Sequence, residues 1–363
     1  MKMKGLFLVA LLTALCFASV AWSASPQWTW RMQVIHSNAH SDFAQNTQTA
    51  EDIMKATGGR LQIKVSPNGT FAPSLEAFQA CGDGVFEMHS SWPVYAKGVE
   101  YAFLPLSTMG LGLDAHDRWV WVYEFGGWNL LQKAFDKMNL KLLAVEIWGT
   151  EVMMANKPYK SLAEMKGRKM RTSDPRLLAK YGVAGITLPL EEVFTGLQTG
   201  TVDAAEFGHL KYNEGLGLTD IAKHGIFPDF WNGHFITTVV VNKSAWAKLP
   251  QDIQTVVELA FKAREHQHWT KSQYLSAVAM RDLAAKKKMQ FSRMDKAPFI
   301  ELRKQMYAIE QEDIKKYGGL TAETYNSIYK FMEVWYPYKT MAAWWGDGLT
   351  PEQQMGFKPG TYK

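Results

Sequence analysis

The sequence predicts an α/β protein of two lobes that share a hinge, with a long helix spanning both lobes and further helices at the C-terminal end. Three observations predict it. Residues 28–91 read as strand, helix, strand, helix, strand, an order that builds a parallel sheet with right-handed crossovers. A second strand–helix–strand layout occupies residues 161–206; it is entered at Trp148–Glu151 and followed by the apolar strand Phe235–Val241, which returns to the first lobe. From Pro250 a helical pattern of roughly 35 residues, about 50 Å at 1.5 Å per residue, runs to about Lys286 and would reach from one lobe to the other, with a break expected near His268.

In chain order, residues 1–23 read as a cleavable secretory leader. Lys2 and Lys4 precede the apolar run Leu6–Val20, which is too short for an ordinary membrane span, and Ala21 and Ser23 are small residues suited to cleavage. Leu15 stands before Cys16 where a lipidation signal needs a small residue. Without the leader lysines the formal net charge of +5 falls to near +3, too mild and too dispersed for a nucleic-acid partner. Cys81 is then the one cysteine left, so no internal disulfide is expected. At 363 residues, 47% apolar and 13% aromatic, the chain can fill two cores.

Residues 28–35 alternate as a strand and end in a polar loop with His36, Ser37, Asn38 and His40. A helix over about 42–57 stops at Gly58-Gly59, Leu61–Val65 alternates again, and PNG (67–69) is a turn. A short helix near 74–80 precedes a third strand at 85–89. The loops after the first and third strands should face one crevice, bringing His36, Ser91, Trp92 and Tyr95 together. His36 and His40 have a spacing that ligates zinc on a helix, but the residues between them read as loop. A helical stretch near 116–138 and an apolar strand at 142–148 lead to the crossover.

In the second lobe, Ser161 and Glu164 have capping-box spacing, Gly167 ends that short helix, and residues 169–172 read as a strand presenting Arg171. A helix over 190–198 has Val193, Phe194 and Leu197 on one face and stops before Gly200; the strand at 201–206 then delivers Glu206 and Phe207. A guanidinium and a carboxylate thus sit at the ends of two strands, where open α/β sheets bind ligands; spacing alone equally allows a surface Arg and a solvated Glu.

The runs GRKMR (167–171), EVFTGLQTG (192–200) and VDAAE (202–206) resemble the solute-binding proteins of TRAP (tripartite ATP-independent periplasmic) transporters, and the similarity extends over nearly all of the mature chain. The resemblance implies a periplasmic-binding-protein, type II-like fold. The expected boundaries are 24–148 plus about 236–265 for the first lobe, 149–235 for the second, about 250–287 for the spanning helix and 288–363 for a C-terminal helical region packed on the lobes. It also implies that Arg171 binds the ligand carboxylate, suited to this by its planar fork of donors. The DAAE–aromatic pattern at 203–207 resembles the subgroup that binds 2-oxo and 2-hydroxy monocarboxylates, in which the Glu helps hold a bridging cation. Sodium or calcium at Glu206 and Asn232 is therefore an accessory rather than a required cofactor. Asn232 departs from the acidic residue of that subgroup and weakens the cation site.

Glu151 is a further polar position on the crossover, and Trp92, Tyr95, Phe207 and Trp231 would wall the side chain of the ligand, pointing to a bulky or aromatic 2-oxo acid. The implied role is a periplasmic receptor that delivers an organic acid to the membrane permease subunits, as a monomer or as a homodimer through the aromatic-rich C-terminal helices. Two other classes share features with it. A ligand-sensing subunit of a membrane signalling protein would have the same cleft; an exported enzyme would use Glu206 as base and His36 as its partner, but no GxSxG or Cys–His pattern supports a nucleophile.

Overall fold

A computed structural model of the chain describes residues 25–38, 40–108, 112–227, 234–295 and 297–342, together with Glu352, Gly356 and Lys358. The expected leader, residues 1–23, lies outside them, as do Trp231 and Asn232. In chain order the described strands are β1 Trp28–Val34, β2 Leu61–Ser66, β3 Met88–Ser91, β4 Leu140–Ile147, β5 Met153–Ala155, β6 Lys169–Arg171, β7 Ala184–Ile186, β8 Ala204–Ala205, β9 His224–Phe227, β10 Ile236–Asn242 and β11 Gln290–Arg293.

They form two sheets. The first has the order β2-β1-β3-β10-β4, with β1 parallel to β2 and β3, and β10 antiparallel to β3 and β4. The second has the order β11-β9-β5-β8-β6-β7. The β10 sequence ITTVVVN does not alternate because the strand lies inside the sheet and all seven of its residues are buried. The chain passes between the sheets at Trp148–Val152, again before Phe235, and a third time along the long helix. The first two passages are tied together: Trp148 N–H donates to Phe235 O at 2.8 Å, continuing the β4–β10 pairing.

The long helix is Gln251–Lys287, 37 residues without the expected break at His268. Ile253, Val257 and Phe261 pack with Met32, Val34 and Val239 on the first sheet, whereas Ala279 and Leu283 join the core of the second lobe. Around His268 the buried positions are polar: Arg264 pairs with Glu146 of β4 at 2.8 Å, and His268 faces Asp42. The apolar stripe is interrupted there while the buried face continues.

Residues 288–363 are not wholly helical, contrary to expectation. β11 completes the second sheet as a parallel partner of β9 before the helices begin. The helix Ala297–Tyr317 then packs Leu302, Met306 and Ile309 against Met153 and Met170 of the second lobe. The helix Gly319–Ala342 returns to the first lobe, where Tyr325, Tyr329 and Tyr336 pack with Phe103, Trp121 and Phe135. Two local expectations are also corrected. The Ser161 side chain makes no capping bond, and Glu164 Oε2 accepts from Lys160 N–H at 2.8 Å, one residue earlier than a capping box requires. The stretch 116–138 is two helices, Ala115–Glu124 and Gly127–Asp136; the second starts at Gly126, whose φ of 89° is readily adopted by glycine.

Candidate ligand-binding site

β6 and β8 are parallel neighbours in register, Arg171 opposite Ala205, so Arg171 and Glu206 emerge side by side at the carboxyl ends of adjacent strands. Glu206 N–H donates to Arg171 O at 3.1 Å and fixes that relation. The Glu206 carboxylate is turned toward the chain after β6. Thr172 Oγ1 donates to Oε2 at 2.8 Å, and Ser173 N–H and Oγ–H donate to Oε1 at 2.9 and 3.0 Å.

Arg171 does not close on that carboxylate, since Nη1 stands 3.8 Å from Oε1. The guanidinium is aimed by two backbone carbonyls: Nη1 donates to Glu206 O at 2.7 Å and Nε to Leu188 O at 3.3 Å. Its flat face lies 4.6 Å from the centre of the Phe207 ring. Nη2 makes no hydrogen bond among the described residues, and Arg171 lines a cavity. A buried cation held by neutral carbonyls, with its nearest carboxylate engaged by other donors, is poised for an anionic ligand.

The cavity, about 310 Å³, lies between the lobes. Trp92, Tyr95 and Lys97 contribute from the first lobe, Trp148 and Glu151 from the crossover, and Arg171, Leu188 and Phe207 from the second lobe. The aromatic rings meet edge to face: Trp92 is 5.7 Å from Phe207 across the cleft, 5.4 Å from Tyr95 and 5.9 Å from Trp148. Its size falls at the small end of small-molecule sites.

Five of the residues singled out from sequence therefore line one cavity: Arg171, Phe207, Glu151, Trp92 and Tyr95. Glu206 stands behind Arg171, 1% exposed. Ser91 and His36 are not in the wall. Ser91 is buried within β3, where its carbonyl accepts from Thr238 Oγ1 at 3.4 Å; His36 packs against Trp148 and Tyr212 outside the cavity.

Sequence reasoning missed Lys97. Its ammonium crosses the cleft to donate to Ser173 O at 2.9 Å, linking the segment after β3 to the segment after β6. Burial lowers its pKa, opposed by the charge of Asp174. The only advance signal was a lysine among the aromatics of a loop already assigned to the crevice.

The family model described as bacterial extracellular solute-binding protein, family 7, matches residues 33–313. A monocarboxylate 2-oxoacid-binding periplasmic protein of Nostoc sp. is 27% identical over 238 residues, 65% of this chain and 65% of that protein, so the match spans a little under two thirds of the relative's length. A TRAP transporter solute-binding protein from Bordetella bronchiseptica, solved as a mixed-occupancy dimer with copurified calcium and picolinate, has a TM-score of 0.78 at 24% identity, covering 88% of this chain and 95% of that one. A second, from Pseudoalteromonas atlantica with bound sodium and pyruvate, has a TM-score of 0.79 at 21% identity, covering 87% and 97%. By the extent of the family match, and with the two-lobed architecture it shares with these structures, the chain belongs to family 7 of the bacterial extracellular solute-binding proteins.

Proposed function

We propose that this chain captures an organic acid in the periplasm, after removal of residues 1–23, and presents it to the membrane permease subunits of a TRAP transporter without transforming it. The ligand class is a 2-oxo or 2-hydroxy monocarboxylate with a bulky or aromatic side chain. The observation that carries this reading is the Arg171 guanidinium, held by backbone carbonyls at the floor of a cleft walled by Trp92, Tyr95, Trp148 and Phe207. The ligand carboxylate pairs with Arg171, and its side chain lies among the rings. Contacts from Trp92 and Lys97 on one lobe and Arg171 on the other exist together only when the cleft is closed, so binding favours closure by contacts the open form lacks. A 2-oxoacid-binding relative and a neighbour solved with pyruvate agree with the 2-oxo acid part of this class, and picolinate, bound by another neighbour, is an aromatic monocarboxylate with a ring nitrogen in place of the 2-oxygen.

Support for an accessory sodium or calcium is limited to the chemistry of the donors: Glu151 in the cavity wall and Glu206 behind Arg171 offer oxygen ligands alone, and the bonds from Thr172 and Ser173 hold the Glu206 carboxylate in a fixed orientation. Such an ion, held by Glu206 with Glu151 and Asn232, would offset the charge of the acids and bind ligand oxygens.

The test is calorimetry of the mature protein with 2-oxo, 2-hydroxy and dicarboxylic acids, with calcium or sodium supplied and after chelation and sodium replacement. Loss of a charge-assisted bidentate pair removes about 2–4 kcal/mol, so Arg171→Ala is expected to weaken the best 2-oxo acid by roughly 30- to 1,000-fold. Removal of both cations is expected to weaken it as well. Binding of a 2-oxo acid that is indifferent to Arg171→Ala would sink the assignment, and a panel in which only pyruvate or lactate binds would refute the bulky side chain.

A further inference from the structure

Behind Trp148, outside the ligand cavity, lies a second cluster that the receptor function does not use. His36 follows β1, His40 and Asp42 open the helix Ser41–Ala56, and His268 reaches in from the long helix. All four are at most 5% exposed. The loop between the first two turns back on itself, His40 N–H donating to Ser37 O at 3.0 Å, so that the rings of His36 and His40 stack with centres 5.4 Å apart. One ligand atom from each of His36, His40 and Asp42 lies within 4.8 Å of the others. A point no more than about 2.8 Å from all three atoms therefore exists, and movements of under about 1 Å reach the 2.0–2.2 Å of zinc bonds.

Several polar atoms in this cluster have no hydrogen-bond partner: His36 Nδ1, His40 Nε2, Asp42 Oδ2 and His268 Nδ1. Each such buried atom is destabilising, and folded proteins leave few of them. Among the four, Asp42 Oδ2 faces the ring of His40, whereas His40 Nε2 and His268 Nδ1 are the far nitrogens of rings whose other nitrogen faces Asp42. Asp42 is also already oriented. Gln45 Nε2 donates to Oδ1 at 2.9 Å and His268 Nε2 stands 3.6 Å from the same oxygen, which leaves Oδ2, 3.4 Å from His40 Nδ1, on the side of the imidazoles. That is the arrangement of a ligand carboxylate held by outer partners. His40 Nδ1 accepts the Asp42 N–H at 3.2 Å, a single helix-cap bond that coordination through this nitrogen would displace.

We propose that His36, His40 and Asp42 form a buried zinc site, with His268 as the outer partner of Asp42. Imidazole ligands select a borderline transition metal over sodium or calcium, so this site is distinct from any cation in the ligand cleft. Zinc there would pin the loop after β1 to the start of its helix, directly behind the crossover residue Trp148.

The experiment uses tag-free mature protein, stripped with chelator, dialysed and titrated with zinc chloride, with metal content measured after a second dialysis. About one zinc per chain is expected, retained in Arg171→Ala and weakened at least about tenfold in His36→Gln and in Asp42→Asn. Cobalt(II) added to the wild-type protein should give visible absorption bands of a four- or five-coordinate site that zinc abolishes, a readout that does not depend on how well the variants fold. Failure of the wild-type chain to retain zinc, absence of those cobalt bands, or a zinc affinity unchanged in folded His36→Gln and Asp42→Asn would each overturn the assignment.

Discussion

Replacing Glu265 by Gln should make the protein more stable at pH 8, although it removes a hydrogen-bonded buried group. Glu265 lies on the inner side of the long helix, where Val145 N–H donates to Oε1 at 2.9 Å and the Tyr123 hydroxyl donates to Oε2. Burial nevertheless dominates and pushes its carboxyl up to about 7 from the ordinary 4.5. At about 1.4 kcal/mol per pH unit, that gap is a penalty of about 3 kcal/mol on the folded state once folded and unfolded forms are both ionised. The sign follows from proton counting. Between pH 4.5 and about 7 the folded state binds more protons at this site than the unfolded state, so the contribution of Glu265 to stability falls as pH rises through that window. The neutral amide introduced by Glu265→Gln cannot ionise, and it can meet both Val145 and Tyr123. Urea unfolding of wild type and Glu265→Gln from pH 4 to pH 8 should give curves that converge at low pH and separate by about 3 kcal/mol at pH 8. A variant no more stable than wild type at pH 8, or a difference that does not narrow toward pH 4, would refute the reasoning.

The remaining predictions concern the cleft and its frame. Lys97→Met removes the charge-assisted bond across the cleft to Ser173 O; at about 1 kcal/mol for a partly solvated pair, the ligand should dissociate roughly fivefold faster, with a larger radius of gyration for the empty protein by X-ray scattering. An unchanged dissociation rate would remove Lys97 from the closing contacts. Gly185→Ala would set its new Cβ 2.5 Å from Pro175 Cβ and 2.7 Å from Pro175 Cα, so backbone must move beside the segment that holds Thr172 and Ser173. A loss of about 1–3 kcal/mol is expected by thermal melting, and an unshifted midpoint would mean the strand yields without strain.

The parts of this fold that were legible in the sequence are those whose burial follows a simple period. The first half of β1 and the start of β2 alternate, β10 is buried along its whole length and carries the apolar run Val239–Val241 at its centre, and Arg171 and Glu206 could be placed because strand ends in α/β sheets point to a crevice. The strand β11 was hidden for the opposite reason: it is a four-residue edge strand, QFSR, with no residue fully buried and so no pattern to read. The false break at His268 has a different cause. Arg264, Glu265, His268 and Ser272 lie on the buried side of the helix and find polar partners there, so a hydropathy pattern registers an interruption where the helix has none. Lys97 and the grip of Thr172 and Ser173 on Glu206 depend on segments brought together by folding, and no local spacing announces them.

The place of β10 in its sheet bears on the order in which the chain can fold as it is made. β10 lies between β3 and β4, yet it is specified by residues 236–242, after all of β5 to β9. Until those residues emerge, β4 has no partner in the first sheet and the seven buried positions of β10 are missing from between its neighbours. The second sheet waits longer still for its edge at residues 290–293. Neither half of the molecule can therefore be finished from an N-terminal fragment alone. Because Tyr325, Tyr329 and Tyr336 also belong to the core of the first lobe, the chain stays short of its compact state until about nine-tenths of it is available, and the two halves complete their cores together.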